Sequence, residues 1–234
     1  MTKSKQPLAQ TRRDALVSHI ASRGKKTSNI WYVFSPGSRT DVVLLGDLRF
    51  ELFLATEGDP DVATAIYEVE PVCLRIGQSD HSIQFDVLAR HLDGGREYRD
   101  AREKPLGDTS TSGHEIPLSW KRAAAESAGA SYTEFTISDL DALKQRTWNW
   151  ARAIAALARC RNEDLGTLEI EVAARLADGR RQTIGDFLTG LMSEQPPLIV
   201  AAIVSLLRKR QLESDLDTNR WGKHSTVWAK AVST

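Results

Sequence analysis

The stretch SIQFDVLARHLDGGREYRDAREKP, residues 82–105, decides how this chain reads. Residues 82–91 read as strand-like, Asp93-Gly94-Gly95 supplies a tight turn, and residues 96–103 run back, which together predict a β-hairpin. The hairpin carries Asp86 inside an otherwise apolar strand and ends in Glu103-Lys104-Pro105. Taken alone, Asp86 reads as a buried, paired structural acid. Lys104, ahead of a proline and a polar loop, reads as a solvated lysine.

Working outward, residues 30–34 (IWYVF) are a strand closed by Ser35-Pro36-Gly37, and residues 41–45 are a second strand. From Asp47 the apolar residues Leu48, Leu52 and Ala55 recur at helical spacing until Gly58-Asp59-Pro60 stops the helix. Residues 65–76 read as one strand. Beyond the hairpin, 106–113 is a polar loop, 117–129 an Ala-rich helix stopped by Gly129, and 131–137 a strand. Ser138, with Asp139 and Asp141, is expected to cap a short helix. A longer helix over 146–160 contains Trp148 and Trp150, which read as packing residues. Three helices at 164–177, 183–192 and 196–210, then a small hairpin from 214–216 and 226–229, have the winged-helix order. The expected division is a basic arm (1–29), an α/β unit (30–161) and a winged-helix-like unit (162–234).

Across 234 residues, 31 Lys and Arg balance 31 Asp and Glu, which excludes a uniformly basic DNA-coating protein and an acidic disordered tail. The balance is global but not local. Residues 1–46 carry eight basic and two acidic groups (+6), whereas 47–105 carry seven and thirteen (−6). Cys73 and Cys160 stand alone, without metal-ligand or disulfide spacing. The first residues lead into no apolar signal core, and the longest apolar run, 198–207, is too short to span a bilayer. A soluble protein of a reducing cytoplasm, without membrane contact, is expected. None of the five histidines shows ligand spacing. Arg208-Lys209-Arg210 suits either a helix C-terminus or a phosphate contact. The helix holding residues 198–207 is too apolar for a base-reading helix, so packing or partner binding is expected of it.

The order of acidic helix, strands, Asp-bearing hairpin, helix and strand follows the logic of PD-(D/E)xK nucleases. There, carboxylates hold one or two Mg²⁺ while a lysine positions the attacking water. The segments FSP (34–36), EGDPDV (57–62), residues 68–71, IQFDVL (83–88), Lys104-Pro105 and Trp120-Lys121-Arg122 resemble the TnsA family of transposon-end endonucleases. The resemblance spans about residues 34–228. It implies a restriction-endonuclease-like mixed α+β sheet with flanking helices, followed by a small winged-helix domain. It also implies Mg²⁺ if the chain is active, transposon-end DNA as substrate, and a DDE transposase subunit and an ATPase regulator as partners.

Carried over residue by residue, Asp86 takes the metal-binding position and Lys104 the lysine position. The helix glutamate position holds Arg49, and the position two residues before Lys104 holds Arg102. A guanidinium cannot ligate Mg²⁺, so pairs between Asp86 and these arginines are expected instead. Glu51 lies about 200° round the helix from Arg49. Glu103 lies on the opposite face of its strand. Neither replaces the missing carboxylate. The expectation is therefore a TnsA-like DNA-binding, architectural subunit with weakened or lost cleavage. Phosphate contacts are expected from Arg12, Arg13, Lys25, Lys26, Lys121 and Arg122. An active Mg²⁺ endonuclease cutting the non-transferred strand, and a regulatory winged-helix binder on a nuclease-like scaffold, are the alternatives.

Overall fold

The computed structural model describes residues 29–107, 116–191 and 195–230. The expected basic arm, its short helix and its Arg12, Arg13, Lys25 and Lys26 lie outside these residues, as does most of the 106–113 loop. Among the described residues no helix is long and apolar enough to cross a membrane.

The chain opens with a hairpin of β1 (Ile30–Ser35) and β2 (Thr40–Leu45), followed by helix α1 (Asp47–Gly58). A four-stranded mixed sheet has the order β3-β6-β7-β8, formed by Val62–Ile66, Val87–His91, Arg96–Arg102 and Ser131–Thr136. β6 and β7 are the expected hairpin, with Gly94 at φ 89° in its turn. β8 runs parallel to β7, and the crossover between them contains α2 (Leu118–Ser127). Strand alternation divides the sheet's side chains between two helices. Val87 and Ala89 pack with Leu52 of α1, whereas Leu88 and Tyr98 pack with Ala124 and Ala125 of α2.

Two strands differ from the reading. Residues 65–76 are divided, because β3 ends at Ile66 and β4 (Val72–Ile76) starts only after Pro71. Residues 82–91 are also divided. β5 (Ser79–Ile83) pairs with β4 as a separate hairpin, and Gln84-Phe85-Asp86 bends the chain into β6. The Gln84 side-chain amide stabilises that bend by donating to the Val69 and Phe85 carbonyls at 2.6 and 3.1 Å. The cap of α3 (Ile137–Ala142) is Thr136 rather than Ser138, in a capping box with Asp139.

Downstream come α4 (Lys144–Arg159), α5 (Gly166–Arg175), β9 (Gln182–Thr183), α6 (Ile184–Gly190), α7 (Pro196–Arg208), β10 (Leu212–Ser214) and β11 (Thr226–Ala229). The expected small hairpin gains a third strand, giving the order β10-β11-β9. At two residues, β9 is too short to leave a periodic signal. α7 is packed as its composition demands, with Ile199, Ala201, Ile203, Val204 and Leu206 buried. These side chains belong to one apolar cluster that also holds Val42, Leu44, Phe53, Trp150, Ile154 and Val227. The first hairpin, α1, α4 and the C-terminal helices therefore share a core.

A buried polar network crosses the same junction. Glu57, in the last turn of α1, is fully buried. Its Oε1 accepts from Ser35 Oγ at 2.6 Å and from Tyr67 OH at 2.9 Å. Its Oε2 accepts from Arg208 Nε at 3.2 Å and from Gly37 N at 3.3 Å. Arg208 also donates to the Val62 carbonyl at 2.7 Å. Arg146 and Arg210 donate to the carbonyls of Gly58 and Asp59, where the end of a helix leaves acceptors unpaired. The Arg208-Lys209-Arg210 run is thus engaged within the protein, with Lys209 held by Glu169 at 2.5 Å.

Arg208→Met leaves Glu57 charged, buried and without its cation. A loss of about 3–5 kcal/mol in urea-unfolding free energy is expected. The double variant Glu57→Leu/Arg208→Met is expected to recover part of that loss, because neither charge is left buried alone.

Candidate functional site

The β6–β7 register pairs Val87 with Arg99, so the next pair outward is Asp86 with Asp100. The two acids brace each other's strands. Asp86 N donates to Asp100 Oδ1 at 2.9 Å, and Ala101 N donates to Asp86 Oδ2 at 3.0 Å. Arg49 reaches down from α1 and places Nη2 2.7 Å from Asp86 Oδ1. From the other side of the sheet, Lys121 Nζ lies 2.6 Å from Asp100 Oδ2 and donates also to the Gln84 carbonyl. Tyr132 OH donates to the same Asp100 oxygen at 3.1 Å, and Arg102 Nη2 lies 3.5 Å from it. Two carboxylates therefore face three cations, inside a core made by Phe85, Tyr98 and the alanines of α2.

The electrostatics follow from burial. Desolvation pushes the Asp86 carboxyl above the usual carboxylate range. Arg49 opposes that shift, while the nearby Asp100 charge adds to it. Burial raises the Tyr132 phenol as well, reinforced by the charge of Asp100, so Tyr132 stays a hydrogen-bond donor at neutral pH. A cleft of about 380 Å³ opens in front of Asp86, lined by Arg49, Tyr67, Gln84 and the acidic Glu68 and Glu70.

Of the residues singled out in the sequence, Asp86 and Arg49 meet as expected. Arg102 stands beside Asp100, not Asp86. Lys104 is exposed beyond the last residue of β7 and makes no hydrogen bond or ion pair to this cluster among the described residues. The acid that the hairpin register sets against Asp86 is Asp100, with Arg102 beside it. Lys121, expected at a phosphate, is buried with its side chain 3% exposed, so only its neighbour Arg122 faces solvent. Glu51 and Glu103 are exposed, and neither joins Asp86. Trp150 is buried as a packing residue, but Trp148 is not.

Asp100 and Tyr132 were missed. Hairpin arithmetic contains the signal for Asp100, because counting outward from the Asp93-Gly94-Gly95 turn sets residue 86 against residue 100. No sequence signal marks Tyr132, which arrives from β8 through the parallel pairing of β7 and β8.

The donor set does not fit Mg²⁺. Each of the four carboxylate oxygens is already engaged by a group of the chain itself, and three cationic side chains, Arg49, Lys121 and Arg102, stand against them. Among the described residues, no group of three or more His, Cys, Asp or Glu could hold a metal ion. Compared with known proteins, the chain matches no family model and no curated protein sequence.

Arg49→Met removes the charge that holds Asp86 down, so the Asp86 pKa is expected to rise further in a carboxyl-carbon NMR titration. A carboxyl raised above its unfolded value favours the folded state at low pH, and that contribution is lost as pH rises through the folded pKa. The Arg49→Met variant is therefore expected to lose stability with rising acidic pH over a wider window than the parent. Lys121→Met strands Asp100 in the core and is expected to cost about 3–5 kcal/mol.

Proposed function

We infer that this protein is a TnsA-like, nuclease-fold subunit of a heteromeric transposase that binds transposon-end DNA without cutting it. The observation that carries this reading is the Arg49–Asp86 contact of 2.7 Å. A hairpin aspartate and an acid-x-base strand support the likeness to such nucleases, and on this reading the Arg49 guanidinium takes the place of the helix carboxylate. The order α1-β3-β6-β7-α2-β8 around a mixed sheet supports the same assignment. No hydrolytic step is assigned to the cluster. Its internal charge pairs tie α1, the hairpin and α2 together.

Phosphate contacts fall to solvent-facing cations. Arg122 is one, and the +6 block of residues 1–46 supplies the others by composition. The C-terminal unit is read as a partner surface, because its α7 is spent in the core and cannot enter a major groove. Its partners on this reading are the DDE transposase subunit and the ATPase regulator. Ile170 on α5, 71% exposed, supports a protein contact there.

Incubation of supercoiled plasmid and transposon-end DNA with this protein, the partner transposase and Mg²⁺ or Mn²⁺ tests the reading. No nicking by this subunit is expected, and Mn²⁺ is expected to leave the melting temperature unchanged. Metal-dependent nicking that disappears in Asp86→Ala would establish the active endonuclease instead.

A further inference from the structure

On the far side of α1 from its buried end lies a groove that the nuclease-like reading does not use. Its cavity measures about 270 Å³ and lies between the first hairpin, α1, α3 and α4. The floor is apolar and aromatic. Trp31 and Phe50 stack at 4.0 Å with their rings 6° from parallel, and Leu54 and Leu140 flank them. Trp148 stands at one wall and is 55% exposed, a large apolar surface left in water.

The rim is acidic. Asp47, Glu51 and Asp141 line it against one cation, Lys144, which lies 3.5 Å from Asp141. Asp47 accepts from Asn29 Nδ2 and Trp31 Nε1, both at 2.8 Å, so its charge is oriented, and it forms no ion pair among the described residues. The Glu51 carboxyl is pushed up by burial first and then by the charge of Asp141, with Lys144 opposing and Asp47 adding to the shift.

The occupant is indicated by the chain's own covalent path. Asn29 lines the groove, and residues 1–28 precede it. Within them, Ala15-Leu16-Val17 and Ile20-Ala21 are apolar. They are bracketed by Arg12-Arg13 on one side and Arg23, Lys25 and Lys26 on the other. That pattern of apolar run and flanking cations is the complement of an aromatic floor with an acidic rim. Ile20 is nine residues from Asn29, a reach of up to about 30 Å of extended chain.

We propose that residues 12–26 of this same chain dock in the groove, with their apolar run on Trp31, Phe50 and Trp148 and their cations against Asp47, Glu51 and Asp141. The contact is intramolecular, so the tether supplies a high effective concentration and modest complementarity suffices. Docking and phosphate binding are alternative uses of the same arginines and lysines, so the groove would compete with DNA for this segment.

A photo-crosslinker at the exposed wall tests the proposal in the full chain. Trp148→p-benzoylphenylalanine is prepared as a dilute mixture of ¹⁵N-labelled and unlabelled protein, irradiated and digested. The expected result is a crosslink from position 148 to residues 12–26 of the same isotopic chain. That crosslink should be lost in Glu51→Lys/Asp141→Lys and regained when Arg12→Glu and Arg13→Glu are added. Both rim residues are exposed, and unchanged thermal melting confirms that the variants fold. The proposal is overturned by no crosslink, by crosslinks to other segments, or by crosslinks only between labelled and unlabelled chains, which would indicate a second copy. It is equally overturned by a crosslink that survives charge reversal of the rim.

Discussion

The ion pair between Glu57 and Arg208 is the constraint on which the other placements depend. Glu57 is the penultimate residue of α1 and Arg208 the last residue of α7, so their contact fixes the end of one helix against the end of another. Both are withdrawn from water, and a buried pair of this kind offsets its desolvation only when the remaining lone pairs and protons are satisfied. Ser35, Tyr67 and Gly37 do this for the Glu57 oxygens and the Val62 carbonyl for Arg208 Nη1, whereas Arg208 Nη2 is buried without a hydrogen-bond partner among the described residues. Gly37 leaves room for the Glu57–Arg208 contact, since a Cβ there would lie 2.5 Å from Arg208 Nη2 and would force that guanidinium to shift. Arg49 sits eight residues earlier on the same helix, about 12 Å along its axis. Holding the Glu57 end of α1 therefore also sets where Arg49 meets the sheet.

The second cluster works by the same physics, with buried acids and cations that differ in their exposure. Asp86 and Asp100 are placed side by side by strand register, and two like charges in a low-dielectric setting need compensation. Three cations from three different elements provide it: Arg49 from α1, Lys121 from α2 and Arg102 from β7 itself. Lys121 is almost wholly buried, whereas Arg49 keeps nearly half of its side chain in solvent. The result is a charge-balanced seam between α1, the hairpin and α2. The basic run at the end of α7 is consumed in a similar way, each cation pairing within the protein. Surface cations that look available in composition are thus fewer than the count of 31 suggests.

Much of the architecture was legible because local physics governs it. Hydrophobic periodicity, the Gly94 turn, the Gly58-Asp59-Pro60 stop and the apolar run of α7 each predict an element that the structure contains. The breaks at residues 67–71 and 84–86 were illegible, because a strand-like composition does not report a bend imposed by Gln84 reaching the Val69 carbonyl. The two-residue β9 was equally beyond periodic reading. At the site, anchoring on Lys104 hid Asp100, although the hairpin turn contained the correct count.

Sequence by itself determined most of the element order, the hairpin and the burial of α7, which follow from residue type and short-range spacing. The meeting of Arg49 with Asp86 was expected only through the family resemblance, since the two are far apart in the chain. Only the tertiary structure decided that Lys121 is a core counter-ion, that Asp100 is the second acid, that Arg208 closes on Glu57 and that Trp148 is left exposed. The physical reason is sequence separation. Asp100 and Lys121 are 21 residues apart and Glu57 and Arg208 are 151 apart, and no local propensity specifies which buried charge will find which partner.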